Sequence, residues 1–335
     1  MKEYIVIIAV FAVLLFATPF VFRAVNARET PQTSDSGGQE AQPHFPDGYD
    51  FPKTVSLLRA DSGAVVELSV RDYLIGCLFA QIPSDYHEQA LKAQAVAAHT
   101  YMLRLRQDRE YVSDEPETCQ PYFDEEQARA LFRSDAEYDN ALTRITAAAD
   151  YGAVHALFHG GEPIYAVYHS ISAGVTNTAY TVWGVDFPYL RSVDSSWDRE
   201  HSGFIQRNEV SADSLRLAMF HFNRTATMPQ DYDDWFSDPY KNEFGYVISI
   251  AVGEEGKRLT GGDMWRAFEL RSTSFDISRR MMGSDDDVFV IETRGFGHGV
   301  GLSQYGADVL GRRGYGCEEI LRHYYTDVVL AEVRT

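Results

Sequence analysis

The sequence predicts an α+β fold in which hairpins and helices form a cleft, preceded by a single N-terminal transmembrane helix. Residues 4–22 carry no charged side chain and are long enough for a membrane span. Residues 90–105 place apolar side chains three, four and seven positions apart, as on one face of a helix. Short alternating segments between turn residues predict hairpins, and their irregular mixture with helices argues against a doubly wound sheet.

The N-terminal segment favours an uncleaved, single-pass anchor in the cell membrane, with a cleaved signal peptide as the alternative. As a helix it would measure about 28 Å at ~1.5 Å per residue. A cleaved signal peptide has a shorter apolar region and an A-x-A site, and no such site follows this segment. Lys2 on one side and Arg23 and Arg28 on the other leave the orientation open from charge alone.

Composition divides the chain into three parts. Residues 1–27 hold the anchor and its flanks, and residues 28–52 are rich in Pro, Gly, Ser and acidic residues but almost free of aliphatic side chains. We expect this second part to be a flexible linker. Residues 53–335 are long enough to bury a substantial core and are expected to form one folded domain, which the resemblance described below implies to be extracytoplasmic.

Charge and cysteine content exclude some functional classes. The formal net charge is −19, and no run of Lys and Arg is long enough to follow a phosphate backbone, so nucleic acid is not an expected partner. The three cysteines, Cys77, Cys119 and Cys317, predict neither a disulfide framework nor a zinc site, although one pair could form in an oxidising space. Cys119 is predicted to be a buried thiol.

The first elements of the domain follow from local patterns. Residues 54–76 predict a hairpin followed by a helix or a strand. Ser84 or Asp85 can cap a helix that runs through Arg106, and its many alanines permit close packing. Residues 153–170 alternate about a His-Gly-Gly-Glu-Pro turn and predict two strands.

The second half predicts further short elements. A helix is expected near residues 211–222, then a strand over 245–252, a turn over 253–257 and a helix over 261–270 capped around Thr260. A strand over 288–295 is expected to lead into a glycine-rich loop and a final helix.

The glycine-rich loop is the first candidate for a site. Its glycines at 295, 297, 299 and 301 do not have the spacing of a dinucleotide-binding loop, and it lacks the lysine of a P-loop. Alternating glycines do let backbone N–H groups and His298 approach a ligand, because no Cβ intervenes. The alternative is a tight bulge around a buried histidine.

Two other patterns are weaker indications of a functional site. Ser170 and Ser172 beside His169 suggest a serine nucleophile, but the G-x-S-x-G pattern is absent and no acid lies nearby in sequence. His155 and His159 are four apart on an alternating segment without the Glu of H-E-x-x-H, so they do not predict a metal site.

Three blocks, residues 80–103, 164–198 and 294–327, resemble in order and spacing the stage II sporulation protein D family, whose domain is shared with bacterial amidase-enhancer proteins. A further segment, 259–277, lies in the expected place, and the match covers most of residues 60–332. The resemblance implies a membrane-anchored extracytoplasmic protein that acts on peptidoglycan during engulfment of the forespore. Its implied partners are glycan strands, the membrane through the N-terminal helix, and other engulfment cell-wall hydrolases.

The founding members of this family look like lytic transglycosylases that act on glycan strands without stem peptides. In that reaction one carboxylic acid protonates the glycosidic oxygen, and the carboxylate then deprotonates the C6 hydroxyl as it closes onto C1. In the family this acid is the Glu of an E-[apolar]-P triplet, whose position here is Gln81 in "QIP". A glutamine cannot transfer a proton at useful rates, and such catalysis is worth ~100- to 10,000-fold.

Three explanations for Gln81 stay open. The protein binds glycan without cutting it, another acid such as Glu88 or Asp85 takes over, or a partner hydrolase is needed. Glu88 lies seven residues further on, roughly 10 Å along a helix, so direct replacement would need a shifted substrate. The expectation is therefore a peptidoglycan-binding or remodelling protein of lytic transglycosylase type, with a non-catalytic enhancer or scaffold for an amidase or other hydrolase as the alternative.

The resemblance also bears on metal and sugar binding. The resemblance implies that some members bind zinc through paired cysteines and a histidine before a C-Q-x-Y segment. This sequence keeps only Cys119 there, so neither metal nor cofactor is expected. The remaining matched polar residues suit sugar hydroxyls, N-acetyl groups and stacking on pyranose rings. These expected substrate-binding residues are Tyr168, His169, Ser170, Ser172, His298, Gln304 and Tyr305.

Overall fold

The structure, a computed structural model, describes residues 49, 51–116, 119–222, 231, 235–236, 239–253, 257–280 and 288–332. These residues confirm an α+β fold built from helices and small sheets. None of the helices within these ranges is long and apolar enough to cross a membrane, and the predicted span at residues 4–22 lies outside them. The division of the chain at residues 27 and 52 stays a prediction.

The elements follow in chain order. The helices are α1 (Val70–Gln81), α2 (Glu88–Arg106), α3 (Glu125–Arg129), α4 (Asp135–Gly152), α5 (Ala179–Trp183), α6 (Ala212–Phe222), α7 (Gly261–Ala267), α8 (Gln304–Arg312) and α9 (Cys317–Tyr324), with a 3-10 helix at Ser196–Glu200. The strands are β1 (Thr54–Leu58), β2 (Val65–Ser69), β3 (Val112–Ser113), β4 (His155–His159), β5 (Glu162–Pro163), β6 (Tyr168–His169), β7 (Ile205–Ser211), β8 (Tyr240–Lys241), β9 (Val247–Val252), β10 (Lys257–Thr260), β11 (Phe275–Arg280), β12 (Val288–Arg294), β13 (Leu302–Ser303) and β14 (Val329–Glu332).

The predicted first hairpin is confirmed, and a helix follows it. Strands β1 and β2 pair antiparallel, and the Ser69 hydroxyl caps α1 by accepting a hydrogen bond from the Asp72 N–H at 3.0 Å. Helix α1 ends at Gln81, because Ile82 is extended and Pro83 follows.

Helix α2 begins later than the sequence suggests. A turn closed by the Tyr86 N–H on the Pro83 carbonyl occupies residues 83–86, so neither Ser84 nor Asp85 is the cap. His87 takes that position, and its own N–H donates to the Asp308 carboxylate at 2.6 Å. The start of α2 thus depends on a residue far along the chain.

The alanines of α2 pack closely, as predicted. A Cβ added to Gly152 of α4 would lie 2.6 Å from the Cβ of Ala95, so the two helices approach at a position where a larger side chain cannot fit. This contact lies within the larger of the two main cores, which α1, α2, α4, α9 and β4 build. The close contact explains why small residues dominate this part of α2.

The second strand predicted after the turn at 160–161 is much shorter than expected. Strand β5 has two residues, and residues 164–167 are all buried outside any strand. Local backbone bonds replace the ladder, since Val167 N–H donates to the Tyr165 carbonyl at 2.8 Å. Only Tyr168 and His169 return to a strand, β6, which pairs in parallel with β13.

A second core lies in the later half of the domain. It packs α6 and α7 against the sheets β11-β12-β7 and β10-β9-β8 around a fully buried Trp235. Thr260 caps α7 as predicted, accepting from the Asp263 N–H at 3.0 Å. The predicted turn at 253–257 lies partly outside the described residues.

Loop 295–301 connects the two cores after β12. Phe296 forms a backbone bridge with Ile171, and Val300 forms one with Asn177. Gly301 has a φ of +72° and lies so close to the preceding segment that an added Cβ would be 2.1 Å from the Val167 carbonyl oxygen. A glycine is required here by both the backbone conformation and the space.

We expect Gly301→Ala to destabilise the protein by more than about 3 kcal/mol, because strain at positive φ adds to a clash with backbone. Gly160→Ala is the matched control, since Gly160 also has a positive φ of +58° but nothing within 4 Å of an added Cβ, and it should lose only about 1 kcal/mol. Urea unfolding of both variants measures the difference. Equal losses would show that the close approach at Gly301 does not constrain the fold.

Candidate functional site

The glycine-rich loop places His298 against β6. An added Cβ at Gly297 would lie 2.9 Å from the Cβ of His169, so the loop rests directly on this residue. The centroids of the His298 and His169 rings are 5.7 Å apart. The Val300 N–H donates to His298 Nδ1 at 3.0 Å, which fixes the tautomer of His298 with its proton on Nε2.

Both imidazoles are neutral. His169 is buried and donates from Nδ1 to the Val300 carbonyl at 3.1 Å, which leaves Nε2 as a buried acceptor with no hydrogen-bond partner among the described residues. Burial lowers the pKa of His169 to about 3 and that of His298 to about 4. They therefore offer hydrogen-bonding groups and ring faces to this site, not positive charge.

Trp183 extends the pair of histidines toward the surface. The half-buried Trp183 ring lies 5.2 Å from the His298 ring. Trp183 is the last residue of α5, and Gly184 ends this helix with a φ of 74°. Tyr180 on the same short helix is 66% exposed. Both aromatic residues lie in the block 164–198 that carries the resemblance, but neither was predicted as a site residue.

Gln81 lies on the other side of β6 and is buried, with 1% of its surface exposed. Its Nε2 donates to the Pro121 carbonyl at 3.0 Å, and its Oε1 accepts from the Tyr168 hydroxyl. Its backbone carbonyl accepts from Gln304 Nε2 at 3.0 Å. The predicted residues Gln81, Tyr168 and Gln304 are therefore brought together.

Two further glutamines, which the sequence reasoning missed, complete this network. Gln120 Oε1 lies 2.7 Å from the Tyr168 hydroxyl, and Gln120 Nε2 donates to the Ala98 carbonyl at 3.0 Å. Gln94 Oε1 accepts from Gln304 Nε2 at 3.2 Å. All four amide side chains are buried, so a network of neutral polar groups surrounds position 81.

Glu88 occupies a different environment. It is exposed on the first turn of α2, where its carboxylate accepts from Gln89 Nε2 at 3.1 Å. The hydrogen bonds of Gln81 described above do not involve Glu88.

The remaining predicted residues have mainly structural contacts. The Ser170 carbonyl accepts from the Tyr305 N–H at 3.0 Å, and the Ser172 hydroxyl accepts from the Gly174 N–H at 3.0 Å. Tyr305 is half-buried, and its ring lies 4.7 Å from that of His201 in an edge-on contact. The Tyr305 ring therefore contacts His201, whereas the His298 ring contacts His169 and Trp183.

Asp198 joins three segments near the site and was not predicted. One of its oxygens accepts from the Ser172 N–H at 2.7 Å, the Ser195 hydroxyl at 3.1 Å and the Ser303 hydroxyl at 2.8 Å. Ser303 in turn caps α8 by accepting from the Gly306 N–H. Burial raises the pKa of Asp198 to about 6, although these hydrogen bonds oppose the shift. The only sequence signal was the position of Asp198 at the end of the block 164–198.

Metal ligands are not assembled in this part of the chain. Among the described residues no group of three His, Cys, Asp or Glu side chains is placed to hold an ion. Cys77, Cys119 and Cys317 are free and buried, which confirms the predicted burial of Cys119.

The raised pKa of Asp198 predicts a pH-dependent stability. The protonated form is favoured by folding, so its contribution is complete below the unfolded pKa of 3.8 and is lost as the pH rises through about 6. Relative to Asp198→Asn, the wild type should lose about 3 kcal/mol of unfolding free energy over this window, at ~1.4 kcal/mol per pKa unit. Urea unfolding at about pH 4 and about pH 7 measures it, with the exposed Asp186→Asn as control. A constant difference would contradict the raised pKa.

Comparison with known proteins agrees with the sequence blocks. Residues 59–157 match the SpoIID family model, described as Stage II sporulation protein. The chain is 28% identical to Stage II sporulation protein D of Bacillus amyloliquefaciens over 99% of this chain and 96% of that protein. It is also 28% identical to Stage II sporulation protein D of Bacillus subtilis (strain 168) over 84% of this chain and 80% of that protein.

A more distant relative is the Amidase enhancer of Bacillus subtilis (strain 168), which is 25% identical over 77% of this chain but only 40% of its own length. The near-complete coverage by the two sporulation proteins, together with the family match over α1 and α2, confirms the resemblance. The chain therefore resembles the stage II sporulation protein D family over nearly its whole length.

Proposed function

We propose that the protein is a peptidoglycan-binding component of sporulation cell-wall remodelling that holds glycan strands and does not cut them through residue 81. The N-terminal segment would anchor it in the cell membrane, with the main domain outside the cytoplasm. The proposal rests on one observation. Gln81 occupies the position of the family's acid, and both ends of its amide are hydrogen-bonded inside the protein.

General acid catalysis requires a group that holds a proton and releases it to the glycosidic oxygen. The Gln81 amide does not supply one. Glu88 and Asp85 are both exposed to solvent. Neither side chain takes part in the hydrogen bonds that hold the Gln81 amide.

Binding of a glycan is supported by the aromatic residues around His298. The half-buried Trp183 ring and the exposed Tyr180 give apolar faces for pyranose rings. Thr181 lies between them in sequence and hydrogen-bonds to Thr178 at 3.0 Å, and the half-buried Asn242, which follows β8, donates to the buried Asn177 side chain at 3.0 Å. A platform of rings with polar groups at its edge suits a chain of N-acetylated sugars.

A second candidate function is the non-catalytic enhancement of a cell-wall amidase or other hydrolase. The relative named Amidase enhancer favours it, because that protein is 25% identical over 77% of this chain. A protein that holds a glycan strand without cutting it would present the strand to a hydrolase. This function uses the same binding surface and the same inactive position 81.

The proposal predicts that the full chain binds denuded glycan strands but releases no 1,6-anhydro product. Co-sedimentation with the strands measures binding, and mass spectrometry of the soluble fraction detects cleavage. Product from the wild type would overturn the non-cutting proposal, and its disappearance in Glu88→Gln would then assign the acid to Glu88. Failure to bind the strands would overturn the glycan-binding function itself.

We expect Trp183→Ala to weaken glycan binding about tenfold, which corresponds to about 1.4 kcal/mol. The loss follows from removal of a ring face beside His298. Tyr111→Ala is the control, because Tyr111 is 43% exposed and adjoins strand β3, which pairs with β1. Equal affinities of the two variants, measured by the same co-sedimentation, would place the glycan elsewhere.

A further inference from the structure

Arg271 carries a positive charge that no acidic side chain of the described residues neutralises. It lies between α7 and β11, and its backbone carbonyl accepts from the Gly297 N–H at 2.8 Å, so it adjoins the glycine-rich loop. Its guanidinium lies 4.2 Å from the centroid of the Phe296 ring, and its Nη1 donates to the Gly203 carbonyl at 3.2 Å. Burial lowers the pKa of Arg271, and no acidic group opposes this shift.

A neighbouring arginine shows the usual arrangement. Arg294, which precedes the glycine-rich loop, pairs with Asp276 at 2.6 Å and with Glu292 at 2.7 Å. The chain has 49 acidic residues against 30 Lys and Arg, so a shortage of carboxylates does not explain the unpaired state of Arg271. A half-buried cation without an anion costs free energy, and an anionic ligand would recover it.

The acidic residues closest in sequence do not take this role. Glu269 lies two residues before Arg271 but is exposed and forms no ion pair with it. Glu200 precedes His201 and pairs with Arg313 at 3.2 Å. The guanidinium is therefore open to an anion from outside the chain.

His201 places a second donor beside this guanidinium. A Cβ added to Gly203 would lie 3.2 Å from the His201 ring and 3.4 Å from Arg271 Nη1, so both side chains border the same point. The Gly203 N–H donates to His201 Nδ1 at 2.8 Å, which leaves the proton of the neutral ring on Nε2. Within the described residues, Arg271 Nε and Nη2 and His201 Nε2 have no hydrogen-bond partner, and all three reach solvent.

The two donors adjoin the aromatic surface proposed to bind glycan. Phe296, beneath the Arg271 guanidinium, and His298, against the Trp183 ring, are two residues apart in one loop. Their Cα atoms are therefore separated by at most about 7 Å. A strand that lies on Trp183 can reach Arg271 within a few sugar units.

The chemistry of a denuded strand indicates which anion this is. Hydrolysis of the amide bond between the lactyl group of N-acetylmuramic acid and the stem peptide leaves a carboxylate on the lactyl group. A peptide-bearing strand has a neutral amide at that position. The planar guanidinium matches a carboxylate through two parallel hydrogen bonds. Because the chain has a formal charge of −19 and repels anionic strands, their binding requires a local cation.

We propose that Arg271, with His201 beside it, binds the lactyl carboxylate of denuded strands and so distinguishes them from strands that keep their stem peptides. Arg271 donates through Nε and Nη2, and His201 Nε2 is the additional donor. The inference rests on the proposed glycan binding, but it concerns the choice between strands, which can fail while glycan binding stands.

The test compares two forms of the same denuded strands, immobilised through their reducing ends. One form keeps its lactyl carboxylates, and in the other a carbodiimide and methylamine convert them to neutral N-methylamides. The full-length wild type should bind the carboxylate form about tenfold more tightly, and Arg271→Gln should bind both forms equally. Equal binding of both forms by the wild type would overturn the inference alone. Failure to bind either form would overturn the proposed function and this inference with it.

The matched control is Arg106→Gln. Arg106 is also half-buried, donates to a backbone carbonyl, that of Thr54, at 3.3 Å, and forms no ion pair among the described residues. It lies at the end of α2, so its variant should keep the tenfold preference. Loss of the preference in both variants would show a general effect of charge and would overturn the role of Arg271.

A structural role of Arg271 gives a different result. The preference is a ratio of two affinities of one preparation, so a fraction of unfolded protein leaves it unchanged. An unchanged preference in Arg271→Gln, with weaker binding of both forms, would overturn the inference. If this variant does not fold, Arg271→Lys replaces it. Lysine keeps the charge but not the paired hydrogen bonds, so the preference should fall to about two- to fivefold. A full tenfold preference would contradict the paired contact.

Peptide-bearing strands test the source of the carboxylate, because stem peptides carry carboxylates of their own. The wild type should bind these strands about as weakly as the N-methylamide form. Tighter binding of peptide-bearing than of denuded strands, lost in Arg271→Gln, would assign the anion to the peptide and overturn the inference.

Discussion

The close approach of loop 295–301 to residues 167–172 is the contact on which the rest of the site depends. Gly301 and Gly297 allow the loop to lie on the Val167 carbonyl and on His169, at positions where a Cβ would collide. That contact pairs β6 with β13 and thereby fixes Tyr168 on one side and His169 on the other. One strand of two residues thus serves both the amide network around Gln81 and the aromatic platform near Trp183.

The two sides of β6 have different chemical properties. The Gln81 side is closed and neutral, and both ends of the Gln81 amide are hydrogen-bonded inside the protein, whereas the His298 side reaches the surface through Trp183. Asp198 connects them indirectly, because it holds Ser172 after β6 and Ser303 at the start of α8. The Asp198 carboxyl holds three segments together through its hydrogen bonds, and its burial raises its pKa.

Local patterns predicted the elements that local contacts determine. The 3.6-residue period of α2 and the Thr260 cap of α7 were found, because each depends on residues within a few positions. The start of α2 was misplaced because its cap, His87, is held by Asp308. The prediction of a long strand over residues 164–169 was wrong. It assumed that successive side chains face opposite sides of a sheet, whereas residues 164–167 are all buried and lie outside any strand.

The site was only partly predictable for the same reason. The motif resemblance selected Gln81, Tyr168 and Gln304, which do meet, but not Gln120 or Gln94, whose amides come from separate segments. At position 81 the chain has a buried amide in place of a proton donor, and the proposed function requires glycan binding without cleavage by this residue. Incubation of the wild type with denuded glycan strands, with bound protein and 1,6-anhydro product measured in the same sample, tests this most directly. Bound protein without product is the expected result, and product released by the wild type would show that the chain cuts glycan.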